Sequence, residues 1–183
     1  ETSLVIEAVP ENLGLKRKVF AEVAEHAPGS AVLATNTSSL SLSAVFEGID
    51  HPERCIGMHF FNPVPIMALL EIVRPEGCPD ATLDAVRTFG EAIGKQPIVV
   101  KDSPGFATSR LGVCLGLEAI RMVEAGVASA QDIDKALELG YRHPMGPLRL
   151  TDLVGLDVRL DIADYLREEL GSEVFAAPQL MRD

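Results

Sequence analysis

The sequence predicts an α/β fold class for residues 1–101, followed by an all-α portion over residues 102–183. Two observations predict this division. As far as Lys101, short apolar runs rich in β-branched residues alternate with apolar residues at helical spacing, which is typical of a sheet covered by helices. From Asp102 onward the strand-like runs stop and only helical periods follow. We therefore expect a sheet-containing unit followed by a helical unit.

The first portion is predicted to contain a series of strands and two helices. Short apolar runs predict the strands, at residues 4–9, 31–34, 55–60, 69–73 and 97–100. Apolar residues at helical spacing predict the helices, which end at Pro28-Gly29 and at Gly94, over residues 11–27 and 80–93. Between the third and fourth strands, Pro63 and Pro65 cannot donate ladder hydrogen bonds, so the chain is expected to turn there.

The second portion is predicted to be helical throughout. Ser103 is a suitable N-cap and Pro104 a suitable first helical residue, so a long helix is expected from Phe106 to Glu124. Gly126 is expected to end it. The helices that follow are predicted from Ser129 or Ala130 to Leu139, over residues 146–153 and over residues 157–170.

Charge and composition limit the classes of partner. The chain has 16 Lys and Arg against 27 Asp and Glu, so its formal net charge is −11, and its isoelectric point is about 4.8. Nucleic acids and anionic membrane surfaces attract clustered basic residues, so neither is expected as a partner. No apolar run approaches the roughly 18 to 20 residues that cross a bilayer.

The cysteines indicate a reducing compartment. Cys55, Cys78 and Cys114 are odd in number and widely spaced, which predicts neither a disulfide framework nor a zinc site. We therefore expect a cytoplasmic protein, or one of the mitochondrial matrix if the source is a eukaryote.

His59 and Glu71 are the strongest candidates for catalytic residues. A histidine at the end of an apolar strand is usually a packed core residue, but Glu71 interrupts an apolar run, where a carboxylate needs a partner. The proline turn between them lets the two side chains meet. A carboxylate on one ring nitrogen fixes the tautomer and stabilises the imidazolium, so His59 is expected to be a general base. A metal site is the weaker alternative, because no third ligand lies nearby in sequence.

A polar cluster, Thr-Asn-Thr-Ser-Ser, follows the second predicted strand at residues 35–39. Loops at the carboxyl ends of strands form the ligand crevice of open α/β sheets, so this cluster is a candidate for ligand binding. Helix capping explains the same residue types equally well. A solvated face is the default interpretation of the charged residues near the first helix, Glu11, Lys16, Arg17 and Lys18.

Several separated motifs resemble the L-3-hydroxyacyl-CoA dehydrogenase family, over nearly the whole chain. The most specific is His59-Phe60-Phe61-Asn62-Pro63-Val64-Pro65 with Glu71 downstream. Further motifs fall in the family's order and spacing: Ala8, Glu11-Asn12-Leu13 with Lys16, Asn36-Thr37-Ser38-Ser39-Leu40, Gly94-Lys95, Lys101-Asp102-Ser103-Pro104-Gly105-Phe106 with Arg110, and Pro144-Met145-Gly146-Pro147 with Asp152 and Gly155-Leu156-Asp157.

The resemblance implies the C-terminal part of a Rossmann-like NAD-binding domain followed by a helical domain that forms a homodimer. It implies oxidation of an L-3-hydroxyacyl-CoA to the 3-oxoacyl-CoA with transfer of hydride to NAD, as in fatty-acid β-oxidation. By the same resemblance His59 is the base, Glu71 orients it, Ser38 binds the substrate's 3-oxygen, and Asn62 lies near that oxygen and the nicotinamide. The cofactor contacts that it implies are Ala8, Glu11, Lys16, Asn36, Ser38 and Asn62, and the substrate contacts are Ser38, Lys16 and Ser109.

Two departures from the family pattern matter. Ser109 stands where the family usually has Asn, and this shorter side chain is expected to reach the substrate through water. The chain also has no G-x-G-x-x-G fingerprint, and its opening strand is already under way in the first residues, so we expect an incomplete enzyme with an incomplete NAD site. The alternatives are a non-catalytic relative, as some lens crystallins are, and a dehydrogenase of another 3-hydroxy acid.

Overall fold

The chain forms two units that divide between Phe106 and Ala107 in a computed structural model, which describes residues 2–183. The sequence placed this boundary between residues 101 and 102. The segment that follows belongs to the first unit, because the Asp102 carboxylate accepts hydrogen bonds from the backbone of Leu42 (3.0 Å) and Ser43 (3.2 Å). Phe106 is likewise buried in the core of that unit.

Five strands form one sheet within residues 2–183. They lie side by side in chain order: β1 (Leu4–Glu7), β2 (Val32–Thr35), β3 (Cys55–Phe60), β4 (Leu69–Arg74) and β5 (Gln96–Lys101). The first three run parallel, β4 is antiparallel to β3, and β5 is parallel to β4. Every predicted strand is present, and β1 ends earlier than the predicted run of residues 4–9.

Helices cover both faces of this sheet. The main helices are α1 (Leu13–His26) and α3 (Asp80–Ala92), and a short helix, α2 (Leu42–Val45), was not predicted. Successive strand residues point to opposite faces, so Leu33 packs in the cluster that contains Phe20 of α1, while Ala34 packs in the cluster that contains Val86 of α3. The inner strands β3 and β4 are therefore buried on both sides, which explains their nearly continuous apolar sequences.

The second unit is built from α4 (Thr108–Glu124), α5 (Ala130–Tyr141), α6 (Pro147–Val154) and α7 (Leu156–Leu170). Its core lies between α4 and α7, where Val113, Leu117 and Leu166 are almost completely buried. Ser129 caps α5, since its hydroxyl accepts a hydrogen bond from the Asp132 backbone. None of the helices in residues 2–183 is long and apolar enough to span a membrane.

The prediction that Ser103 caps the long helix was wrong. The carbonyl of Ser103 instead accepts a hydrogen bond from the Phe106 backbone (2.9 Å) in a turn, and α4 starts at Thr108. Gly105 (φ 72°) and Phe106 (φ 48°) have left-handed backbone conformations, which a right-handed helix cannot include. The local capping signal was therefore overridden by the turn that buries Phe106.

Candidate active site

The parallel strands bring polar residues to one edge of the sheet. Because β1, β2 and β3 run parallel, their carboxyl ends, at Glu7, Thr35 and Phe60, lie at the same edge. β4 runs in the opposite direction and begins there, at Leu69. The carboxyl edge of parallel strands is where open α/β sheets bind their ligands. We place the candidate active site at this edge.

His59 and Glu71 form a buried hydrogen-bonded pair at this edge. They lie directly opposite each other in the antiparallel β3–β4 ladder, so both side chains point to the same face of the sheet. His59 Nδ1 lies 2.8 Å from Glu71 Oε2, and the two residues are 5% and 0% exposed. An ionised carboxylate only accepts hydrogen bonds, so Nδ1 is the donor. Nε2 is then the ring nitrogen that can accept a proton.

Aromatic rings surround the imidazole of His59. The ring of Phe61 lies 4.4 Å from it between centroids, and the ring of Phe106 lies 5.9 Å away. These contacts restrict the rotation of the imidazole and keep water from most of its surface. His59 is therefore held in one orientation by a hydrogen bond on one side and by packing on the others.

The polar loop after β2 is tied to the neighbouring strand. The Asn36 side-chain oxygen accepts a hydrogen bond from the Phe60 backbone (2.8 Å), which joins the ends of β2 and β3. The Thr37 hydroxyl accepts one from the Leu40 backbone (3.1 Å), as a capping residue does. Part of the cluster at residues 35–39 therefore serves the local structure, and Ser38 is half-buried within it.

Glu11 holds this loop from the N-terminal side of α1. Its Oε1 atom accepts hydrogen bonds from the Thr37 hydroxyl (2.5 Å) and from the backbone of Ser38 (3.0 Å) and Ser39 (3.1 Å). The side chain remains 37% exposed. Glu11 is thus hydrogen-bonded to three of the five residues in the polar cluster that the sequence identified as a candidate for ligand binding.

Lys16 does not lie on a solvated face, so that default interpretation was wrong. It is 0% exposed, because its Nζ atom lies among acceptors inside the unit. Nζ is 2.9 Å from Glu7 Oε1, 3.2 Å from the Val9 carbonyl and 3.5 Å from Glu11 Oε2. The amine is therefore bound to protein carboxylates, and its proposed contacts with cofactor and substrate stay predictions.

Asn62 lies in the turn that joins β3 to β4, where it is exposed. The peptide bond from Asn62 to Pro63 is cis. Lys95 fastens this turn, because its Nζ atom donates hydrogen bonds to the carbonyls of Val64 and Met67, the latter at 2.8 Å. The exposed amide of Asn62 is thus presented just beyond the end of the strand that carries His59.

The remaining predicted contacts lie in different places. Ala8 is exposed and follows β1 directly, at the same edge of the sheet. Ser109 belongs to the helical unit, in the first turn of α4, and is half-buried. The other histidines, His26, His51 and His143, are exposed.

Glu7 was not identified from the sequence, although it stands among the best-connected residues of the site. It is 4% exposed, and it accepts hydrogen bonds from Val9, Lys16 and Thr35. The signal was present, since Glu7 interrupts the apolar run Leu4-Val5-Ile6-Glu7-Ala8-Val9 just as Glu71 interrupts its own run. An acid within a buried strand demands a partner in both cases.

Cys55 and Cys78 are not arranged for nucleophilic chemistry. Burial raises the pKa of the Cys55 thiol to about 12, and it also raises the pKa of Cys78. A thiol with a raised pKa is a poor nucleophile at neutral pH. Residues 2–183 hold no group of three or more His, Cys, Asp or Glu side chains that could bind a metal ion.

Comparison with protein families gives two matches that together cover almost all of the chain. Residues 1–103 match the family model described as "3-hydroxyacyl-CoA dehydrogenase, NAD binding domain". Residues 105–183 match the model described as "3-hydroxyacyl-CoA dehydrogenase, C-terminal domain". The two matches meet at the turn that precedes α4.

Individual relatives agree with these matches. The chain is 41% identical over 181 residues to a 3-hydroxybutyryl-CoA dehydrogenase of Clostridioides difficile, covering 99% of this chain and 64% of that protein. It is 42% identical over 167 residues to the human mitochondrial hydroxyacyl-coenzyme A dehydrogenase, covering 91% and 53%. The crystal structure of (S)-3-hydroxybutyryl-CoA dehydrogenase from Ralstonia eutropha superposes with a TM-score of 0.95 at 40% identity, covering 99% of this chain and 64% of that one. The chain thus spans about half to two thirds of the length of these relatives.

Proposed function

The chain belongs to the 3-hydroxyacyl-CoA dehydrogenase family, and on that premise we propose that the protein oxidises an L-3-hydroxyacyl-CoA to the 3-oxoacyl-CoA with NAD. The single observation that carries the proposal is the buried His59–Glu71 pair at the carboxyl edge of the sheet. Such a pair is what abstraction of a hydroxyl proton requires. Relatives named as 3-hydroxybutyryl-CoA dehydrogenases support an acyl-CoA substrate.

The residues at this edge fit a dinucleotide. Exposed or half-buried polar groups lie after each parallel strand, and such crevices bind dinucleotides in open α/β sheets. We assign the cofactor contacts to the Ala8 backbone and to the side chains of Glu11, Asn36, Ser38 and Asn62. NAD, when bound, supplies the hydride acceptor. Lys16 is buried behind Glu11, so we assign it an indirect part in binding, through that carboxylate.

His59 provides the base for the reaction. Its Nε2 atom takes the proton of the substrate's 3-hydroxyl, and Glu71 stabilises the imidazolium that forms, through the hydrogen bond at Nδ1. Burial of the pair strengthens this electrostatic support, since little water screens it. The Ser38 hydroxyl and the Asn62 amide hold the 3-oxygen while its proton leaves. A positioned base of this kind commonly contributes about 10² to 10⁴ in rate.

The helical unit is assigned to substrate binding through Ser109 and to homodimer formation. Large apolar side chains exposed on its surface support a dimer, because association would remove them from water. Those at least 60% exposed are Leu111, Val127, Leu139, Tyr141 and Leu153. Size-exclusion chromatography of the natural full-length protein tests this, and a monomer at high concentration would count against it.

The assay that tests the function is NADH oxidation dependent on acetoacetyl-CoA, with the natural full-length protein. Turnover that needs both reactants supports the proposal. Turnover of another 3-oxo compound alone would favour the dehydrogenase of a different 3-hydroxy acid. Inactivity with every such substrate, from a folded protein, would favour a non-catalytic relative.

A further inference from the structure

We propose that Glu7, Lys16 and Thr35 form a buried network that fixes the position of the Glu11 side chain. Through Glu11 this network also fixes the loop Thr37–Ser39, so that the Ser38 hydroxyl is held in position for the reaction. The inference rests on the proposed function, because it assigns a purpose to the position of Ser38. None of the three network residues is assigned contact with the reacting atoms. They are positioning residues, and they act through Glu11.

Glu7 is the centre of the network. Its Oε1 atom accepts hydrogen bonds from the Val9 backbone (2.6 Å) and from Lys16 Nζ (2.9 Å), while Oε2 accepts one from the Thr35 hydroxyl (2.6 Å). Glu7 and Thr35 lie opposite each other at the last paired position of β1 and β2. The carboxylate is therefore fixed by two neighbouring strand ends as well as by α1.

Lys16 transmits this position to Glu11. Its Nζ atom contacts both carboxylates, at 2.9 Å from Glu7 Oε1 and 3.5 Å from Glu11 Oε2. The Lys16 side chain is completely buried, so its Nζ atom stays in place and does not move together with the Glu11 carboxylate. The Oε2 atom of Glu11 is thus anchored, which leaves Oε1 directed at the loop.

Glu11 then fixes the loop through a single oxygen. Oε1 accepts from the Thr37 hydroxyl and from two successive backbone N–H groups, of Ser38 and Ser39. Hydrogen bonds from backbone N–H groups to a charged acceptor are shorter and stronger than neutral ones. They set the peptide planes on both sides of the Ser38 side chain, and so they set the direction in which its hydroxyl leaves the backbone.

The ionic character of the network argues for a role beyond folding. Apolar residues of similar volume often stabilise a buried site at least as well as an ion pair does. The fold therefore does not need an ion pair between Glu7 and Lys16 to fill the space at the end of β1. A charged network instead holds its side chains in one arrangement, because each ion pair and hydrogen bond has a preferred direction. This network lies at the ends of β1 and β2, next to the loop that contains Ser38. The rate of a reaction depends on such geometry, since displacing a positioning group by about 1 Å can lower the rate about 10²-fold.

The test compares Thr35→Val, which removes the hydroxyl that fixes Glu7, with Thr35→Ser, which retains it. Glu7→Gln removes the central charge, and Glu47→Gln removes an exposed charge of the same unit as a matched control. Each is made in the natural full-length protein. We expect Thr35→Val and Glu7→Gln to lower kcat about 10-fold or more. The KM for NADH should rise as well, because Glu11 and Ser38 are also assigned cofactor contacts, while Thr35→Ser and Glu47→Gln should stay near the unmodified protein in both constants.

Backbone amide signals give a second readout that does not require turnover. In ¹⁵N NMR spectra without substrate, Thr35→Val should shift the Ser38 and Ser39 signals and speed the exchange of their amide hydrogens. Unchanged signals would overturn the network even if the protein proves to be an active dehydrogenase. Shifted signals in a protein without activity would leave the network in place and refute the proposed function instead. A raised KM for NADH with unchanged kcat would overturn the assignment to Ser38.

Discussion

His59 and Glu71 face each other across the antiparallel β3–β4 pair, with Nδ1 of the imidazole 2.8 Å from Oε2 of the carboxylate. The relationship follows from the register of two strands that a proline-containing turn connects. It places a buried acceptor on one nitrogen of the ring and directs the other nitrogen away from it.

Glu71→Gln should lower kcat by about 10² to 10⁴-fold while the protein stays folded. The amide retains the shape of the side chain and an oxygen that can accept from Nδ1, but it lacks the charge that stabilises the imidazolium. Steady-state kinetics with acetoacetyl-CoA and NADH measure the effect. Glu91→Gln, an exposed acid on α3, is the matched control and should leave kcat unchanged.

His59→Ala should lower the free energy of unfolding by about 3 to 5 kcal/mol, because Glu71 loses a hydrogen-bonded partner while it stays buried. Adding Glu71→Gln to this variant should recover part of the loss, since the second change removes the buried charge. Urea unfolding followed by circular dichroism measures both values. Equal losses in the single and double variants would mean that the carboxylate does not depend on His59.

Gly57→Ala should destabilise the sheet by about 1 to 3 kcal/mol through overpacking. A methyl group at Gly57 would lie 2.7 Å from Val73 Cβ and 3.1 Å from Leu42 Cδ1, inside the core between β3, β4 and α2. Gly29→Ala is the control, because nothing lies within 4 Å of the added carbon there. Thermal unfolding of the two variants should separate them clearly, and equal melting temperatures would contradict this packing.

Cys55 should resist alkylation at pH 8 in the folded protein and react after unfolding in urea. Burial raises the pKa of its thiol from 9.0 to about 12, so the folded chain keeps a proton that the unfolded chain releases between those values. The free energy of unfolding should therefore decrease as the pH rises from about 9 to about 12. In Cys55→Ala the contribution of this thiol to the decrease should be absent. Mass spectrometry of iodoacetamide-treated protein gives the labelling, and rapid labelling of folded Cys55 would contradict its burial.

Much of the fold could be predicted because each local signal agreed with the tertiary structure. The β3 strand has the predicted bounds, Cys55–Phe60, since its apolar run ends where the proline turn begins. The pairing of His59 with Glu71 could be anticipated for a related reason, because an acid in a buried strand must find a partner. The turn at Gly105 and Phe106 could not, since it depends on the burial of Phe106 in a core assembled from distant segments.

The burial of Lys16 shows where reasoning from local sequence ends. A lysine on a helix is usually solvated, and only its contact with Glu7 on the neighbouring strand reverses this. Strand and helix meet through the connection between β1 and α1, whose path the sequence does not specify. Recognising that Glu7 needed a cation would have identified Lys16, one of the few basic residues within reach along the chain.

The most direct test of His59 as the catalytic base is acetoacetyl-CoA-dependent NADH oxidation by the natural full-length protein beside its His59→Gln variant. We expect turnover in the first and its loss in the second, with both proteins folded by circular dichroism. A folded variant that keeps full activity would contradict the assignment of His59 as the base.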